Sequence, residues 1–308
     1  MDTLIIGASA KGCYFAAMMK KAGENVSLFD TNADKVARIN ELGLRIIELD
    51  GSETAVSVPA YDYIEDAPPS ELVILTIKAF HTARAARDIA IILHERMAVL
   101  SLQNGLGNVE ELCQKINKRQ VFAGITYQNA YEEDYGVAHH SEQGLTIVAP
   151  VVKAALPAAM EQARLFNNCN LSAGATTDLE ALRWKKLILN AAVNPLSALH
   201  RLANGELPKQ PDIVRDMVEI VVEGVAVAQK LGVPLDYGEI WATVLDYCRA
   251  NAANRSSMLI DVQNGRFTEI EAINGSIVRL GETVGVDTPA NMRMMREIVA
   301  IHGKRDSY

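Results

Sequence analysis

The first half of the chain alternates short apolar runs with helical patterns, and this alternation restricts the fold more than any other feature. The apolar runs, rich in Val, Ile and Leu, cover residues 4–6, 26–29, 71–77, 97–102 and 121–126. Helical spacing between them predicts helices over residues 12–22, 33–42, 79–95 and 108–116. Strands that are apolar throughout are buried on both faces, so the pattern predicts a parallel sheet covered by helices.

The second half is helical by period from about residue 178 onward, with few strand signals. A small, polar stretch at residues 172–178 separates the two halves, and 308 residues suffice for about two domains. We therefore predict an α/β fold with an N-terminal Rossmann-type parallel-sheet domain (residues 1–175). An all-helical C-terminal domain (residues 176–308) follows, and we expect the ligand to bind in a cleft between the two.

Charge and cysteine content exclude several classes of function. Thirty basic residues against 38 acidic ones give a net charge of −8 without a basic block, which argues against a nucleic acid partner. No apolar run approaches the ~20 residues of a membrane span, and the N-terminus lacks the pattern of a signal peptide. The four cysteines form no Cys-x-x-Cys pair and no zinc spacing. We expect a cytoplasmic protein with reduced thiols and no metal site.

A glycine-rich segment, GASAKG at residues 7–12, lies between the first strand and the first helix. In the dinucleotide-binding pattern G-x-G-x-x-G, Gly7 would allow the tight turn and Gly12 would let the helix pack closely on the sheet. Ser9 replaces the middle glycine, and its hydroxyl could donate to a phosphate. The position after the first strand favours dinucleotide binding over an ordinary strand–helix turn.

Asp30 ends the second predicted strand, 18 residues after Gly12. An acidic side chain at this position accepts hydrogen bonds from the adenosine ribose and repels the extra phosphate of NADP, which favours NAD. The alternative is a helix-capping role. Lys11, Lys35 and Arg38 are close in sequence and could still hold a phosphate.

Lys78 and Asn104 follow the next two buried strands, in the segments TIKA and QNGLG. Ligands bind outside the carboxyl ends of strands in open α/β sheets. Lys78 could therefore reach a cofactor or substrate anion, and Asn104 could bind the nicotinamide ribose or carboxamide. The alternatives are a solvated lysine and simple Asn-Gly turn chemistry.

The segment WKKLILNAAVNPL (residues 184–196) is apolar nearly all round, yet it carries a polar stripe. Lys186, Asn190 and Asn194 recur at i, i+4 and i+8, which places them within an arc of ~80° on one helix face. Buried amides without partners are costly, so the stripe either lines a ligand site or contacts the neighbouring domain. Ser257 and Glu269, taken alone, are ordinary surface or capping residues.

Seven segments taken together resemble the ketopantoate reductase (2-dehydropantoate 2-reductase) family. They are the N-terminal glycine-rich turn, TIKA, QNGLG, WKKLILNAAVNPLSA, RSSMLIDV, GRFTEIEAING and GVDTPAN, in that order along nearly the whole chain. The resemblance implies a Rossmann domain and a helical domain with the active site between them. It also implies reduction of the 2-keto group of ketopantoate to D-pantoate with NADPH, a step toward pantothenate.

The resemblance further implies roles for individual residues. Lys186 matches the family's general acid, and Glu269 matches its acidic partner in the site. Asn190 and Asn194 match the asparagines that contact substrate, and Ser257 matches the serine that binds the substrate carboxylate.

The remaining matches concern the cofactor, where this sequence departs from the family. Lys78 and Asn104 match the family's strand-end lysine and loop asparagine. The family usually carries glycine at Ser9 and a basic residue at Asp30, so Asp30 favours NADH where the family norm is NADPH. Ile260 replaces the glutamine that is common after SSML.

The expected substrate is a small anionic 2-keto acid, and a homodimer is a further expectation. Two alternatives stay open at the level of sequence. One is an NAD-dependent D-2-hydroxyacid dehydrogenase acting on another branched or aromatic 2-keto acid. The other is a non-catalytic dinucleotide sensor, which would not need Lys186, Ser257 and Glu269 together.

Overall fold

The computed structural model describes residues 1–303, which divide into two compact units. The first unit comprises Met1–Gln103 and Asn108–Leu179, and the second comprises Asn104–Gly107 and the residues from Glu180 onward. The short segment Asn104–Gly107 thus packs with the second unit although the chain around it belongs to the first. The predicted domain boundary after residue 175 stays a prediction.

The first unit is built on an eight-stranded sheet with the order β12-β11-β8-β7-β6-β1-β2-β5. Its strands are β1 (Thr3–Ile6), β2 (Val26–Phe29), β5 (Ala60–Tyr61), β6 (Leu72–Leu75), β7 (Ala98–Ser101), β8 (Val121–Thr126), β11 (Thr146–Pro150) and β12 (Ala173–Ala175). The predicted parallel sheet is confirmed from β5 to β8. The sheet is mixed beyond that point, because β11 runs antiparallel to β8.

A second, four-stranded sheet has the order β4-β3-β10-β9. Its strands are β3 (Leu44–Ile47), β4 (Glu53–Val56), β9 (Asn129–Asp134) and β10 (Val137–Glu142). Strands β3 and β4 form an antiparallel hairpin, and β10 pairs parallel with β3 and antiparallel with β9. The sequence patterns did not identify β9, whose residues NAYEED lack apolar alternation.

Helices cover both faces of the larger sheet, as the apolar strands require. They are α1 (Ala10–Lys21), α2 (Ala33–Leu42), α3 (Thr82–Ile92), α4 (Asn108–Leu112) and α5 (Leu156–Asn168). Alternate residues of a strand enter different cores: Ile74 packs in one apolar cluster, and Val73 and Leu75 pack in another. The predicted helix over residues 79–95 is shorter at both ends: residues 79–81 form a 3-10 turn, and the helix ends at Ile92, after which Leu93 is extended.

The second unit is helical within its described residues. Its helices are α6 (Glu180–His200), α7 (Pro211–Lys230), α8 (Tyr237–Ala250), α9 (Ser257–Gln263), α10 (Asn274–Val284) and α11 (Pro289–Gly303). Gly285 ends α10 in the left-handed conformation, and Pro289 begins α11. Among residues 1–303, we find no helix with the length and apolar character needed to span a membrane.

Helix α6 continues through Pro195, which creates one local defect in its hydrogen bonding. Proline has no N–H, so the carbonyl of Ala191, four residues earlier, loses its helical donor. The Nδ2 of Asn274 donates to this carbonyl at 3.2 Å and also to the Oδ1 of Asn291 at 3.1 Å. Because Ala191 and Asn274 are fully buried, this bond satisfies a carbonyl that water does not reach.

We expect Asn274→Ala to lower the free energy of unfolding by about 1–3 kcal/mol, because it leaves the buried Ala191 carbonyl without a donor. The loss should shrink in a Pro195→Ala background, where residue 195 regains the N–H that serves this carbonyl. Both tryptophans, Trp184 and Trp241, lie in this unit, so urea unfolding followed by tryptophan fluorescence reports on it. Equal losses in the two backgrounds would contradict this explanation.

Candidate active site

The turn between β1 and α1 has no room for side chains at its two glycines. Gly7 has φ +102°, and a Cβ there would lie 2.6 Å from the Cγ2 of Ile77. A Cβ at Gly12 would lie 2.0 Å from the carbonyl oxygen of Gly7 and 2.7 Å from the Oγ1 of Thr76. The glycines therefore let α1 start directly against the end of β1, as a dinucleotide-binding turn requires.

Ser9 is the N-cap of α1. Its Oγ accepts a hydrogen bond from the Gly12 N–H at 3.2 Å and donates to the carbonyl of Thr76 at 3.1 Å. The hydroxyl thus links the turn to β6, and its predicted donation to a phosphate would require the bond to Thr76 to break. The first turn of α1 carries no acidic side chain, so its positive end suits an anionic pyrophosphate.

The carboxylate of Asp30 is half-buried and faces the glycine-rich turn. Its Oδ2 accepts from the Ala8 N–H at 2.8 Å, and its Oδ1 accepts from the Asn32 N–H at 3.0 Å. Asp30 does not cap α2, because the N-cap of that helix is Asn32, whose Oδ1 accepts from the Lys35 N–H at 3.0 Å. Carboxylate oxygens retain further lone pairs, so these bonds orient Asp30 without exhausting its capacity to accept from a ribose.

Two more side chains meet the backbone of Ala8 under the same turn. The Nζ of Lys35 donates to the Ala8 carbonyl at 3.2 Å and to the Oε1 of Glu132 at 2.6 Å. The Sγ of Cys13 donates to the same carbonyl at 3.6 Å, and burial raises the pKa of this thiol to about 12. Cys13 therefore stays protonated at neutral pH and serves packing. Glu132 was missed in the sequence because β9 was not identified.

Lys78 is half-buried and follows β6, where it directly precedes the 3-10 turn. Its carbonyl accepts from the His81 N–H at 3.0 Å, which fixes the backbone at this point. The neighbouring segments are joined by the Oγ1 of Thr82, which accepts from the Nε2 of Gln103 at 2.7 Å and contacts the Oδ1 of Asn108 at 3.0 Å. The ends of β6 and β7 are thereby held together.

In the second unit, the polar stripe lies on α6 as the periodicity predicts. Lys186 and Asn190 are half-buried, and Asn194 is buried. The carbonyl of Asn194 accepts from the Oγ of Ser256 at 3.3 Å, and the same Oγ caps α9 by accepting from the Leu259 N–H at 3.1 Å. Ser256 thus fixes the start of α9 against α6.

Ser257 is the first residue of α9 and is exposed, in contrast to its buried neighbour Ser256. The two serines of the RSSM segment therefore differ in environment. Ser256 is buried and fixes the start of α9, whereas Ser257 is exposed. Sequence alone does not distinguish the two.

Asn104 and Glu269, which are 165 residues apart, are in direct contact. The Nδ2 of Asn104 donates to the Oε2 of Glu269 at 3.2 Å, and Glu269 is only 7% exposed. The loop is held there by its backbone, since the Leu106 N–H donates to the carbonyl of Ala272 at 3.2 Å. A Cβ at Gly105 would lie 2.3 Å from that carbonyl, so the close approach requires glycine.

Two family models match the chain. The model described as "Ketopantoate reductase PanE/ApbA" matches residues 3–153, and the model described as "Ketopantoate reductase PanE/ApbA C terminal" matches residues 178–302. Together they span most of both units.

Curated relatives carry the name 2-dehydropantoate 2-reductase. The protein from Archaeoglobus fulgidus is 32% identical over 291 residues, which cover 94% of each chain. The protein from Streptococcus pyogenes is 33% identical over 300 residues, which cover 97% of each chain.

Solved structures with the same fold include two different enzymes. D-mandelate dehydrogenase in a ternary structure with NADH and anilino(oxo)acetate has a TM-score of 0.95 at 26% identity, covering 99% of this chain and 100% of that one. The ketopantoate reductase of Ralstonia eutropha has a TM-score of 0.90 at 28% identity with the same coverage.

We expect Gly12→Ala to lower the free energy of unfolding by about 1–3 kcal/mol, because the new methyl group overlaps backbone that cannot move aside. It should also weaken binding of a nicotinamide dinucleotide, for which NADH is the probe, since α1 shifts away from the turn. Urea unfolding followed by circular dichroism and calorimetric titration with NADH measure the two effects.

Gly174→Ala is the matched control for this variant, because a Cβ at Gly174 meets no atom within 4 Å. Its unfolding and its NADH binding should match those of the unaltered chain. If Gly12→Ala behaves like Gly174→Ala, the close approach of α1 to β1 is not required for either property.

Proposed function

The chain belongs to the ketopantoate reductase family, and on that premise we propose that it reduces a 2-keto acid to a D-2-hydroxy acid with NADH. As a member of this family, the chain is an oxidoreductase that acts on a CH–OH group, with a nicotinamide dinucleotide as cofactor and a keto acid as substrate. We propose 2-dehydropantoate as the substrate, with D-pantoate as the product, because the curated relatives above carry that activity in their names.

The observation that carries the proposal is the hydrogen bond between Asn104 and Glu269. It joins the two segments QNGLG and GRFTEIEAING, which the family resemblance assigned to cofactor binding and to acid chemistry. Glu269 is an acid that is 7% exposed, and a buried carboxylate without partners is costly. The contact of Glu269 with Asn104 favours a role in a polar ligand site over a role as a helix-capping residue at the surface.

In the proposed mechanism, a bound nicotinamide would supply a hydride to the keto carbon, so that negative charge would develop on the keto oxygen. Lys186 donates a proton or a charged hydrogen bond to that oxygen. Asn190 and Asn194, which continue the stripe on α6, orient the substrate by hydrogen bonds. Such orientation lowers the entropy cost of bringing the reacting atoms together.

We assign the substrate carboxylate to Ser257. Its exposed hydroxyl is available for this contact, and the bonds made by Ser256 fix the start of α9. Glu269 acts in this proposal as the acidic partner of Lys186.

For the cofactor, the proposed preference for NADH rests on Asp30. The Ala8 N–H holds its carboxylate at the glycine-rich turn, at the end of β2 where the adenosine ribose binds in this fold. A carboxylate there accepts from ribose hydroxyls and repels a 2′-phosphate. Two solved structures of D-mandelate dehydrogenase contain NADH, which agrees with this assignment.

A second candidate substrate is an aromatic 2-keto acid. The observation in its favour is the TM-score of 0.95 to D-mandelate dehydrogenase with NADH and anilino(oxo)acetate. A second structure of D-mandelate dehydrogenase, with NADH, has a TM-score of 0.90, which equals that of the ketopantoate reductase of Ralstonia eutropha. The sequence identities of the two enzymes to this chain are 26% and 28%. We therefore rank 2-dehydropantoate first and the keto acid of mandelate second.

A substrate panel tests this ranking. We expect kcat/KM to be highest for 2-dehydropantoate with NADH. The value with NADPH should be at least about tenfold lower, because the carboxylate of Asp30 repels the 2′-phosphate of NADPH at a distance of a few ångströms. A higher kcat/KM for the aromatic 2-keto acid whose reduction gives mandelate would establish the second candidate. Binding of NADH without reduction of any 2-keto acid would support a dinucleotide sensor instead.

A pair of adjacent lysines tests the proposed general acid. Lys186→Ala should lower kcat by about 10²–10⁴-fold, which is the usual contribution of a general acid, and should leave the Kd of NADH nearly unchanged. Lys185→Ala is the matched control, because Lys185 forms an ion pair with Glu239 instead. Near-normal kcat in Lys186→Ala, or an equal loss in Lys185→Ala, would refute the assignment.

A further inference from the structure

The four-stranded sheet presents two acidic side chains to the helix that follows β2. Glu132 and Asp134 are two residues apart on β9, and their partners, Lys35 and Arg38, are three residues apart on α2. The Nζ of Lys35 lies 2.6 Å from the Oε1 of Glu132. The Nη2 of Arg38 lies 3.9 Å from the Oδ2 of Asp134. Strand β9 therefore places a carboxylate beside each of the two basic residues on α2 that the sequence offered as phosphate ligands.

The two ion pairs differ in strength because they differ in exposure. The side chains of Lys35 and Glu132 are 12% and 10% exposed, whereas those of Arg38 and Asp134 are 46% and 62% exposed. An exposed pair is screened by water and salt and opens easily. A nearly buried pair stays closed, because opening it leaves two uncompensated charges out of water. Lys35 is thus the cation that is firmly held.

Lys35 is also fixed beneath the glycine-rich turn. The Nζ of Lys35 donates to the Ala8 carbonyl, and the Ala8 N–H donates to Asp30. The ring of Tyr135, just after β9, lies with its centroid 5.0 Å from the Nζ, a cation–π distance. The Nδ2 of Asn32 donates to the Tyr135 hydroxyl at 3.3 Å and fastens that residue to the start of α2.

We propose that Glu132 is a determinant of cofactor specificity, which acts by holding Lys35 in an ion pair and so withholding this cation from the 2′-phosphate of NADP. The formal charges of Asp30, Lys35 and Glu132 sum to −1 at the end of β2, which opposes a phosphate but not a ribose hydroxyl. Without Glu132 the sum is zero, and the amine of Lys35 is released to bind an anion. The inference rests on the proposed function, because it takes the adenosine ribose to bind beside Asp30.

The test is calorimetric titration of the full-length chain with NAD⁺ and with NADP⁺, so that it does not depend on turnover. In Glu132→Gln, the ratio of the Kd for NADP⁺ to the Kd for NAD⁺ should fall by about tenfold or more, because one elementary charge is removed close to the phosphate. Adding Lys35→Gln to this variant should reverse most of the fall, since the released amine is then absent.

Glu133→Gln is the matched control. It changes the net charge by the same amount at the next residue of β9, but Glu133 pairs with His139 rather than with Lys35. The ratio should stay within about twofold of the unaltered chain, since its charge is not part of the pair beneath the turn. An equal fall in both variants would overturn the proposal in favour of a general charge effect.

Lys35→Gln alone provides an independent test if Glu132→Gln does not fold. It leaves the charge of Glu132 unpaired near the phosphate position, so the ratio should rise, and an unchanged ratio would overturn the proposal. A chain that binds NADP⁺ more tightly than NAD⁺ before any substitution would also overturn it. Failure to bind either dinucleotide would instead refute the proposed function, so the two failures are distinguishable.

Discussion

The close approach of Gly12 to the carbonyl of Gly7 is the constraint on which the first unit depends. It lets α1 begin only three intervening residues after the end of β1, and Phe15 and Met19 on this helix are fully buried in the core. At the same turn, the N–H of the buried Ala8 donates to Asp30, and its carbonyl accepts from Lys35 and Cys13. Packing of the helix and the charges beside the turn therefore have one structural origin.

The second unit depends in a similar way on a missing helical hydrogen bond in α6, which a side chain from α10 replaces. Pro195 deprives a carbonyl of α6 of its donor, and Asn274 on α10 supplies the replacement. Because this bond lies between Asn190 and Asn194, it fixes the helix where the polar stripe runs. The helix that carries the proposed substrate ligands is thus held by a bond that no helical periodicity provides.

Residues with local causes were predictable from the sequence. The Asn32 cap and Gly43 define α2 at residues 33–42, as the sequence predicts, because caps depend only on neighbouring residues. The apolar runs likewise identified the central strands, and the i, i+4, i+8 spacing placed Lys186 on the same helix face as Asn190. Strand β9 was missed, because its polar residues have no periodic signal and its pairing with β10 decides its conformation.

The sequence by itself thus determined an α/β unit followed by a helical unit, together with the family to which the motifs belong. The spacing of apolar residues differs between helices and strands, because each element buries one face or both. The type and order of the elements can therefore be predicted from local sequence patterns. Only the tertiary structure decided that Glu132 meets Lys35 and that Asn104 meets Glu269. These partners are 97 and 165 residues apart, and the distance between their charges and dipoles is set by the packing of whole elements rather than by neighbouring residues.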